Sequence, residues 1–246
     1  MILRVVVFSV LTAFWIMVLG GTSQALGLPA EIGLPQLAPG IAGLLMLLIF
    51  RKDGLRISFA KHGIPATRYL AAFGIPMVVG GLIFGFSLAL FDSFTFGSIS
   101  AGITAPILIW MPIGAFGEEV GWRGYLDKRL SLGTSGLLAA VITGLLWCLI
   151  HVHFYANGAL FMVFAFLMFS ASSVVIHAVV SKYDFNVMLA FLFHLGINIS
   201  LLLSFSVINE PGFMAGYALL WTVAAVIAVM LRRELFFPRP SSFPPV

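Results

Sequence analysis

The chain has 246 residues, of which 61% are hydrophobic and only 9% are charged. Soluble domains carry about 25% charged residues, so a water-soluble fold would leave too much apolar surface exposed. Thirteen Lys and Arg against nine Asp and Glu give a formal charge of +4. These bases stand in short loops between apolar segments, where they act as topology signals and not as a nucleic-acid-binding surface. We therefore expect an integral membrane protein that has the lipid bilayer as its partner and binds no nucleic acid.

Eight apolar segments approach or exceed the length of about 20 residues that a helix needs to cross a bilayer. They lie near residues 4–21, 36–50, 69–91, 103–127, 134–152, 158–180, 187–206 and 213–231. The chain is therefore predicted to fold as an all-α bundle of about eight transmembrane helices. Residues 1–235 are expected to form a single domain, followed by a proline-rich cytoplasmic tail at residues 236–246.

The charges of the loops predict the orientation of this bundle. The loops that would lie on one side contain no Lys or Arg; they are residues 22–35, 92–102, 153–157 and 207–212. The basic residues fall toward the other side, in the terminal segments, in the alternate loops or, for Arg123, near the end of the fourth segment. Because basic loops stay in the cytoplasm, both termini are expected to be cytoplasmic.

Two adjacent acids inside the fourth segment are the strongest functional signal, because ionisable side chains are costly in a membrane. Glu119 and Arg123 are spaced i,i+4 and share a helix face. Glu118 points about 100° around the helix from Glu119, so Arg123 can neutralise one carboxylate while the other acts as a general base. A structural salt bridge explains Glu119 and Arg123 equally well, but it does not readily explain the second acid.

Later segments carry further polar candidates. His194 and Asn198 are again spaced i,i+4, and they can either donate hydrogen bonds to an oxyanion or join two membrane helices. His151 follows Trp147 by four residues, which places both rings on one face of the fifth segment. His177 has neither a nearby partner nor a motif, and we expect it to be a packing residue.

These residues occur in the order and spacing of known family motifs. The run from Glu118 to Arg123 resembles EExxxR, the first motif of the CPBP family (CAAX protease and bacteriocin-processing proteins), which includes the Rce1-type type II CAAX prenyl endopeptidases. The run from Trp147 to His151 resembles the second motif, FxxxH, with Trp in place of Phe. The run from His194 to Asn198 matches the third motif, HxxxN. The resemblance covers a motif-bearing core of roughly residues 100–205.

The resemblance implies an intramembrane endopeptidase in the cytoplasmic membrane of a prokaryote. The implied roles are a water-activating base at Glu118 assisted by His151, an oxyanion site at His194 and Asn198, and a site-organising pair at Glu119 and Arg123. The implied substrate is a prenylated CAAX-type peptide, another membrane-associated peptide or a lipidated protein. The Trp in place of Phe is expected to do little damage to the chemistry, although it could alter the shape of the substrate groove. The sequence does not predict the oligomeric state.

The sequence leaves alternatives open for the cofactor and for the class of function. Glu118, His151 and His194 are candidate zinc ligands of the mixed nitrogen and oxygen type. The chain contains no HExxH motif, and glutamate-dependent hydrolysis needs no ligated metal, so no obligatory metal is expected. Two other classes are a non-catalytic membrane scaffold or bacteriocin self-immunity protein, and an ion-coupled transporter. The transporter class favours an inverted repeat, and none is visible in the sequence.

Overall fold

In the ranges that the structure describes, 1–29, 32–59, 63–90 and 105–237, the computed structural model contains no β-strand. Its helices of twelve residues or more are α1 (Ile2–Ala25), α2 (Ala38–Ile49), α3 (Ala66–Leu90), α4 (Ala105–Gly121), α5 (Gly136–Leu149), α6 (Ala159–Val180), α7 (Val187–Leu203) and α8 (Pro211–Leu231). Each coincides with one of the eight apolar segments. The prediction of an all-α helical bundle is therefore confirmed.

The helices differ in their capacity to span a membrane. Helices α1, α3, α6 and α8 are long and apolar enough to cross it, whereas α2, α5 and α7 are shorter apolar helices. Helix α4 gains length because it continues through a π-helical stretch at Trp122–Asp127 and a last α-turn at Lys128–Ser131. Large apolar side chains such as Leu70 and Met230 remain more than 70% exposed, as expected for a surface solvated by lipid. The protein is an integral membrane helix bundle.

Basic loops meet at one end of the bundle, which we call the cytoplasmic end. Arg4 at the start of α1 and Arg129 at the end of α4 both pair with Asp53 in the turn after α2. Lys128 lies 2.7 Å from the carboxylate of Asp184, in the turn between α6 and α7. The predicted sorting of charges is therefore present among the described residues. The predicted loop at residues 92–102 and residues 238–246 of the predicted tail lie outside them.

The opposite end of the bundle, which we call the outer end, consists of residues 22–29, 32–35, 150–158 and 204–210. None of these residues is a Lys or an Arg. Asn157 Nδ2 donates a hydrogen bond of 3.0 Å to Asn209 Oδ1 and joins two of the outer-end segments. By the positive-inside rule, this end faces away from the cytoplasm.

The Asp53 cluster predicts a pH-dependent contribution to stability. The hydrogen-bonded guanidinium of Arg4, reinforced by the charge of Arg129, lowers the pKa of Asp53 below its ordinary value. Such a carboxylate stabilises the fold above its unfolded-state pKa, and this stabilisation is lost as the pH falls through the folded-state pKa. We expect Asp53→Asn to lower the melting temperature in detergent by about 2–4 °C, or about 1 kcal/mol, near pH 7. Thermal unfolding at about pH 3 should show a smaller difference; an equal difference at both pH values would contradict this account.

A glycine face on α4 sets the direction in which the two adjacent acids point. Gly117 and Gly121 flank Glu118 and Glu119 as a GxxxG pattern, which lets membrane helices approach closely. A Cβ atom added to Gly121 would collide with the backbone carbonyl of Pro39 in α2. Because α2 packs on this glycine face, both carboxylates are turned toward other parts of the bundle.

Substituting Ala for Gly121 should therefore destabilise the protein by about 1–3 kcal/mol, because the added methyl group forces α2 and α4 apart. Gly85→Ala in α3 is the matched control. Nothing lies within 4 Å of a Cβ atom added at Gly85, and Ala is favoured over Gly inside a helix. The two purified variants are compared by their melting temperatures in thermal unfolding. An equal loss of stability in both would show that the α2–α4 contact is not close-packed.

Candidate active site

Glu118 and His151 line one cavity of about 370 Å³. Its remaining walls come from α1, the turn that precedes α2, and the residues that follow α5. The side chain of Glu118 is only 2% exposed, and its Oε2 accepts a hydrogen bond of 2.7 Å from Nε1 of Trp147. A buried carboxylate and an imidazole are therefore both presented to a molecule that enters this cavity.

Glu119 is held by two partners. Arg123 Nη1 donates a hydrogen bond of 2.7 Å to Glu119 Oε1, and His194 Nδ1 lies 2.8 Å from the same oxygen. All three residues are buried, at 0%, 0% and 3% exposed. The pair expected from the i,i+4 spacing is thus present, and α7 contributes a third member. Both partners bind the same oxygen, and Oε2 of Glu119 is buried without a hydrogen-bond partner among the described residues.

The backbone around Arg123 departs from the α-helix. Trp122–Asp127 form π-helical turns, and all six of their residues are buried. Such turns are rare, and they occur frequently at functional sites. Hydrophobic periodicity does not reveal them, so the sequence predicted an ordinary helix here.

Trp147 contacts most of the other site residues. Its ring centroid lies 4.5 Å from Cζ of Arg123 and 4.8 Å from the ring centroid of His194, and its Nε1 donates to Glu118. The sequence predicted only that Trp would preserve the aromatic platform of Phe with little damage to the chemistry. That interpretation was incomplete, because the indole N–H holds the carboxylate of Glu118 and a phenyl ring has no group that can do so.

His151 lies just beyond α5 and not within it. The helix ends at Leu149, and the backbone at His151 has φ −80° and ψ 61°. Its Nδ1 lies 2.8 Å from the carbonyl oxygen of Trp147. Since a carbonyl oxygen only accepts, Nδ1 carries the proton and Nε2 is an acceptor in the neutral ring. His151 therefore caps a carbonyl of the last turn of α5 and has one nitrogen able to accept a proton.

Asn198 is separate from this cluster. It lies one turn beyond His194 in α7 and lines a second cavity of about 250 Å³, together with Trp110 and Met111 of α4. It makes no hydrogen bond to the other candidate residues in the part of the chain that the structure describes. The structure therefore groups five of the six sequence candidates and places the sixth in the neighbouring cavity.

Gln36 also lines the cavity of Glu118, although the sequence does not predict it as a candidate. It lies in the turn before α2 and lines both cavities. Its Oε1 is buried and has no hydrogen-bond partner among the described residues. The only sequence signal is a lone amide in the proline-containing run LPQLAPG. That signal does not show that packing places Gln36 between Glu118 and Asn198.

A second buried polar pair lies nearer the cytoplasmic end. Nδ1 of His177 is 3.0 and 3.1 Å from the two carboxylate oxygens of Asp127. The ring of Phe236, in the short helical turn Arg233–Phe236, packs on His177 with its centroid 5.4 Å away. The sequence did not indicate this partner, because Asp127 is 50 residues distant from His177 along the chain. The pair joins α4, α6 and the C-terminal turn, and neither residue lines the cavity of Glu118.

The donor atoms of the site do not fit a metal centre as they are arranged here. Among the described residues, no group of three His, Cys, Asp or Glu side chains could hold a metal ion. The candidate zinc ligands Glu118, His151 and His194 each have a protein partner instead. We therefore assign no catalytic step to a metal.

Known proteins resemble the chain in the same region. Residues 100–200 match the family described as Type II CAAX prenyl endopeptidase Rce1-like, and this interval contains all six candidates. The chain is also 28% identical over 205 residues to lysostaphin resistance protein A of Staphylococcus aureus strains Newman, USA300 and COL. These alignments cover 78% of this chain and 47% of each relative, so the chain spans about half the length of the curated relatives it matches. Residues 100–200 of this membrane protein thus resemble the Rce1-like type II CAAX prenyl endopeptidase family, as the motifs predicted.

Proposed function

We propose that the protein is an intramembrane endopeptidase in which Glu118 activates water for hydrolysis of a membrane-associated peptide. The observation that carries this proposal is the shared cavity, because the Glu118 carboxylate and the His151 imidazole face the same space of about 370 Å³. Trp147 holds one carboxylate oxygen and thereby orients the other. A positioned carboxylate of this kind is a general base.

The reaction begins when water attacks the carbonyl carbon of the scissile peptide bond. Glu118 takes a proton from that water, and Nε2 of His151 accepts a hydrogen bond from it. The carbonyl oxygen becomes an oxyanion as the new C–O bond forms. The C–N bond then breaks, and Glu118 returns the proton to the leaving amine.

His194 stabilises the oxyanion with a hydrogen bond. Asn198 lines the neighbouring cavity and contributes a second hydrogen bond only if the scissile carbonyl lies where the two cavities meet, at Gln36. Because the Nδ1 proton of His194 is donated to Glu119, donation from its Nε2 requires the charged imidazolium. The carboxylate of Glu119 balances that charge, and Arg123 holds the same carboxylate in place. Glu119 and Arg123 are positioning residues in this mechanism.

Cleavage by protein reconstituted in liposomes tests the proposal. A mixture of membrane-anchored peptides is offered to wild type and to Glu118→Ala, and mass spectrometry identifies the products. We expect cleavage by wild type alone, and equal cleavage by both proteins would contradict the mechanism. A chelator and metal analysis test the cofactor in the same preparation. Loss of activity that returns with added Zn²⁺ would favour the zinc alternative.

Gln36 is proposed to bind the backbone of the substrate, since its carboxamide can both donate to and accept from a peptide group. We expect Gln36→Leu to raise KM about tenfold, the equivalent of a hydrogen bond of about 1.4 kcal/mol, with a smaller change in kcat. Gln24→Leu is the control, because Gln24 is exposed near the end of α1. Steady-state kinetics on one peptide check this, and an unchanged KM in Gln36→Leu would refute the role.

A non-catalytic function is the second candidate, because the curated relatives are named for lysostaphin resistance and not for proteolysis. In that case the bundle acts as a scaffold or as a self-immunity protein. A complementation assay that compares wild type with Glu118→Ala separates the catalytic from the non-catalytic function, provided that the two proteins are made in equal amount. Full biological effect from Glu118→Ala would favour the non-catalytic role.

The bacterial relatives also support a place in the cytoplasmic membrane of a prokaryote. The proposed partners are the surrounding lipid and a peptide or lipidated-protein substrate. Fractionation of the inner membrane, followed by detection of the chain, tests this placement.

A further inference from the structure

The cavity of Glu118 lies on the outer side of that residue. Its lining includes Gly20 in the last part of α1 and Pro35 in the turn before α2. It also includes residues 150–153 after α5. Pro35 and residues 150–153 belong to the outer end, and Gly20 lies close to them. A molecule in this cavity therefore approaches Glu118 from the outer end.

The cytoplasmic side of the same site is closed by buried residues. Along α4 and its π-helical continuation, Glu119, Arg123 and Asp127 follow one another toward the cytoplasmic end, and all three are 0% exposed. Beyond them, His177 binds Asp127 and Phe236 covers His177. Among the described residues, these buried side chains lie between the cytoplasmic end and Glu118.

The distribution of Lys and Arg indicates which face of the membrane the cavity of Glu118 opens toward. The outer end has no Lys or Arg, whereas Arg4, Lys128 and Arg129 lie at the opposite end. The positive-inside rule therefore places the cavity mouth on the extracytoplasmic face.

The walls of the cavity fit an uncharged length of polypeptide. Ile16, Pro35, Ile150 and Val152 provide apolar surface. Gln36 provides a buried carbonyl oxygen that has no hydrogen-bond partner in the described part of the chain. Apart from Glu118, the described residues of the lining include no Asp, Glu, Lys or Arg. An extended apolar segment would contribute its backbone N–H groups to Gln36 and its side chains to these walls.

We propose that the substrate is an uncharged peptide segment that reaches Glu118 from the extracytoplasmic side, such as the membrane-proximal part of an exported or membrane-anchored protein. A peptide presented by the cytoplasm, including a cytoplasmic C-terminal peptide, would meet the closed side of the site. The direction of access follows from the positions of the cavity and the charges. The substrate class rests in addition on the proposed endopeptidase function.

Cysteine labelling tests the direction of access without relying on activity. Cys148 is the only cysteine and is buried, so Cys148→Ser provides the background. His153→Cys reports the cavity mouth, Ala156→Cys the outer end and Lys52→Cys the cytoplasmic end; all three residues are exposed. Intact spheroplasts are treated with a sulfonated maleimide that does not cross membranes, and then the labelling is repeated after permeabilisation.

We expect His153→Cys to be labelled in intact spheroplasts to the same extent as Ala156→Cys, and Lys52→Cys to be labelled only after permeabilisation. Labelling of His153→Cys only after permeabilisation, or not at all, would overturn the assigned direction of access.

Two single-span reporter proteins then test the substrate class. They carry the same uncharged cleavable segment either just outside or just inside the membrane, and each is expressed with wild type or with Glu118→Gln. We expect cleavage of the extracytoplasmic segment alone, and only by wild type. Cleavage of the cytoplasmic segment that is lost in Glu118→Gln would refute this inference and leave the endopeptidase function standing. If neither reporter is cleaved while a free peptide mixture is, the substrate class is wrong; if nothing is cleaved, the endopeptidase function itself fails.

Discussion

Glu118→Gln is expected to lower kcat/KM for peptide cleavage by about 10²–10⁴-fold, the usual contribution of a general base. A carboxamide has nearly the same shape as a carboxylate, but it does not take a proton from water near neutral pH. Its oxygen still accepts the hydrogen bond that Trp147 Nε1 donates to Glu118. The fold should therefore persist while hydrolysis is lost.

The control for this substitution is Glu210→Gln, since Glu210 is an exposed acid immediately before α8. Rates from both variants are compared with wild type at equal protein concentration, and thermal unfolding confirms that each is folded. A loss below about tenfold in Glu118→Gln, in a folded protein, would remove Glu118 from the role of base. In that event, His151 becomes the residue to test, because it lines the same cavity.

Arg123→Met should destabilise the bundle by about 3–5 kcal/mol, the usual cost of removing one partner from a buried ion pair. Without the guanidinium, the carboxylate of Glu119 stays buried at 0% exposure, with His194 as its remaining partner. The ring of Trp147 also loses the cation that lies 4.5 Å from its centroid. The reduced stability should appear as a lower melting temperature and a lower yield from the membrane.

A double substitution separates loss of charge balance from loss of packing. Arg123→Met combined with Glu119→Gln removes both charges, so it should destabilise less than the sum of the two single changes. Arg232→Met is the surface control, because Arg232 is 30% exposed and pairs with an exposed acid, Glu234. If Arg123→Met is no more destabilising than Arg232→Met, the buried pair does not hold this part of the bundle together.

The two partners of Glu119 differ in whether the sequence could predict them. The pairing of Glu119 with Arg123 could be predicted because both residues stand on one helix, where a spacing of four residues sets their geometry. The engagement of Glu119 by His194 joins residues 75 positions apart. It depends on how α4 and α7 are rotated and at what depth they meet, and no local spacing encodes either.

The sequence by itself determined that lipid is the solvent of the bundle and where its helices lie. It also determined which end of the bundle carries the basic loops and which residues form the motifs. These follow from local properties: the length of apolar runs, the sign of loop charges, and the order of Glu118, His151 and His194 along the chain. The family match at residues 100–200 agrees with that order. A search by motif was sufficient for these residues because lipid makes intramembrane polar side chains conspicuous.

Only the tertiary structure decided which of these groups touch. In that structure the indole N–H of Trp147 donates a hydrogen bond to Glu118, and His177 pairs with Asp127. Gln36 lines both cavities. The physical reason is that inter-helix contacts depend on close approach at small residues such as Gly121 and on local departures from the α-helix. An apolar run shows that a helix exists, but it does not specify the neighbour that each face will meet.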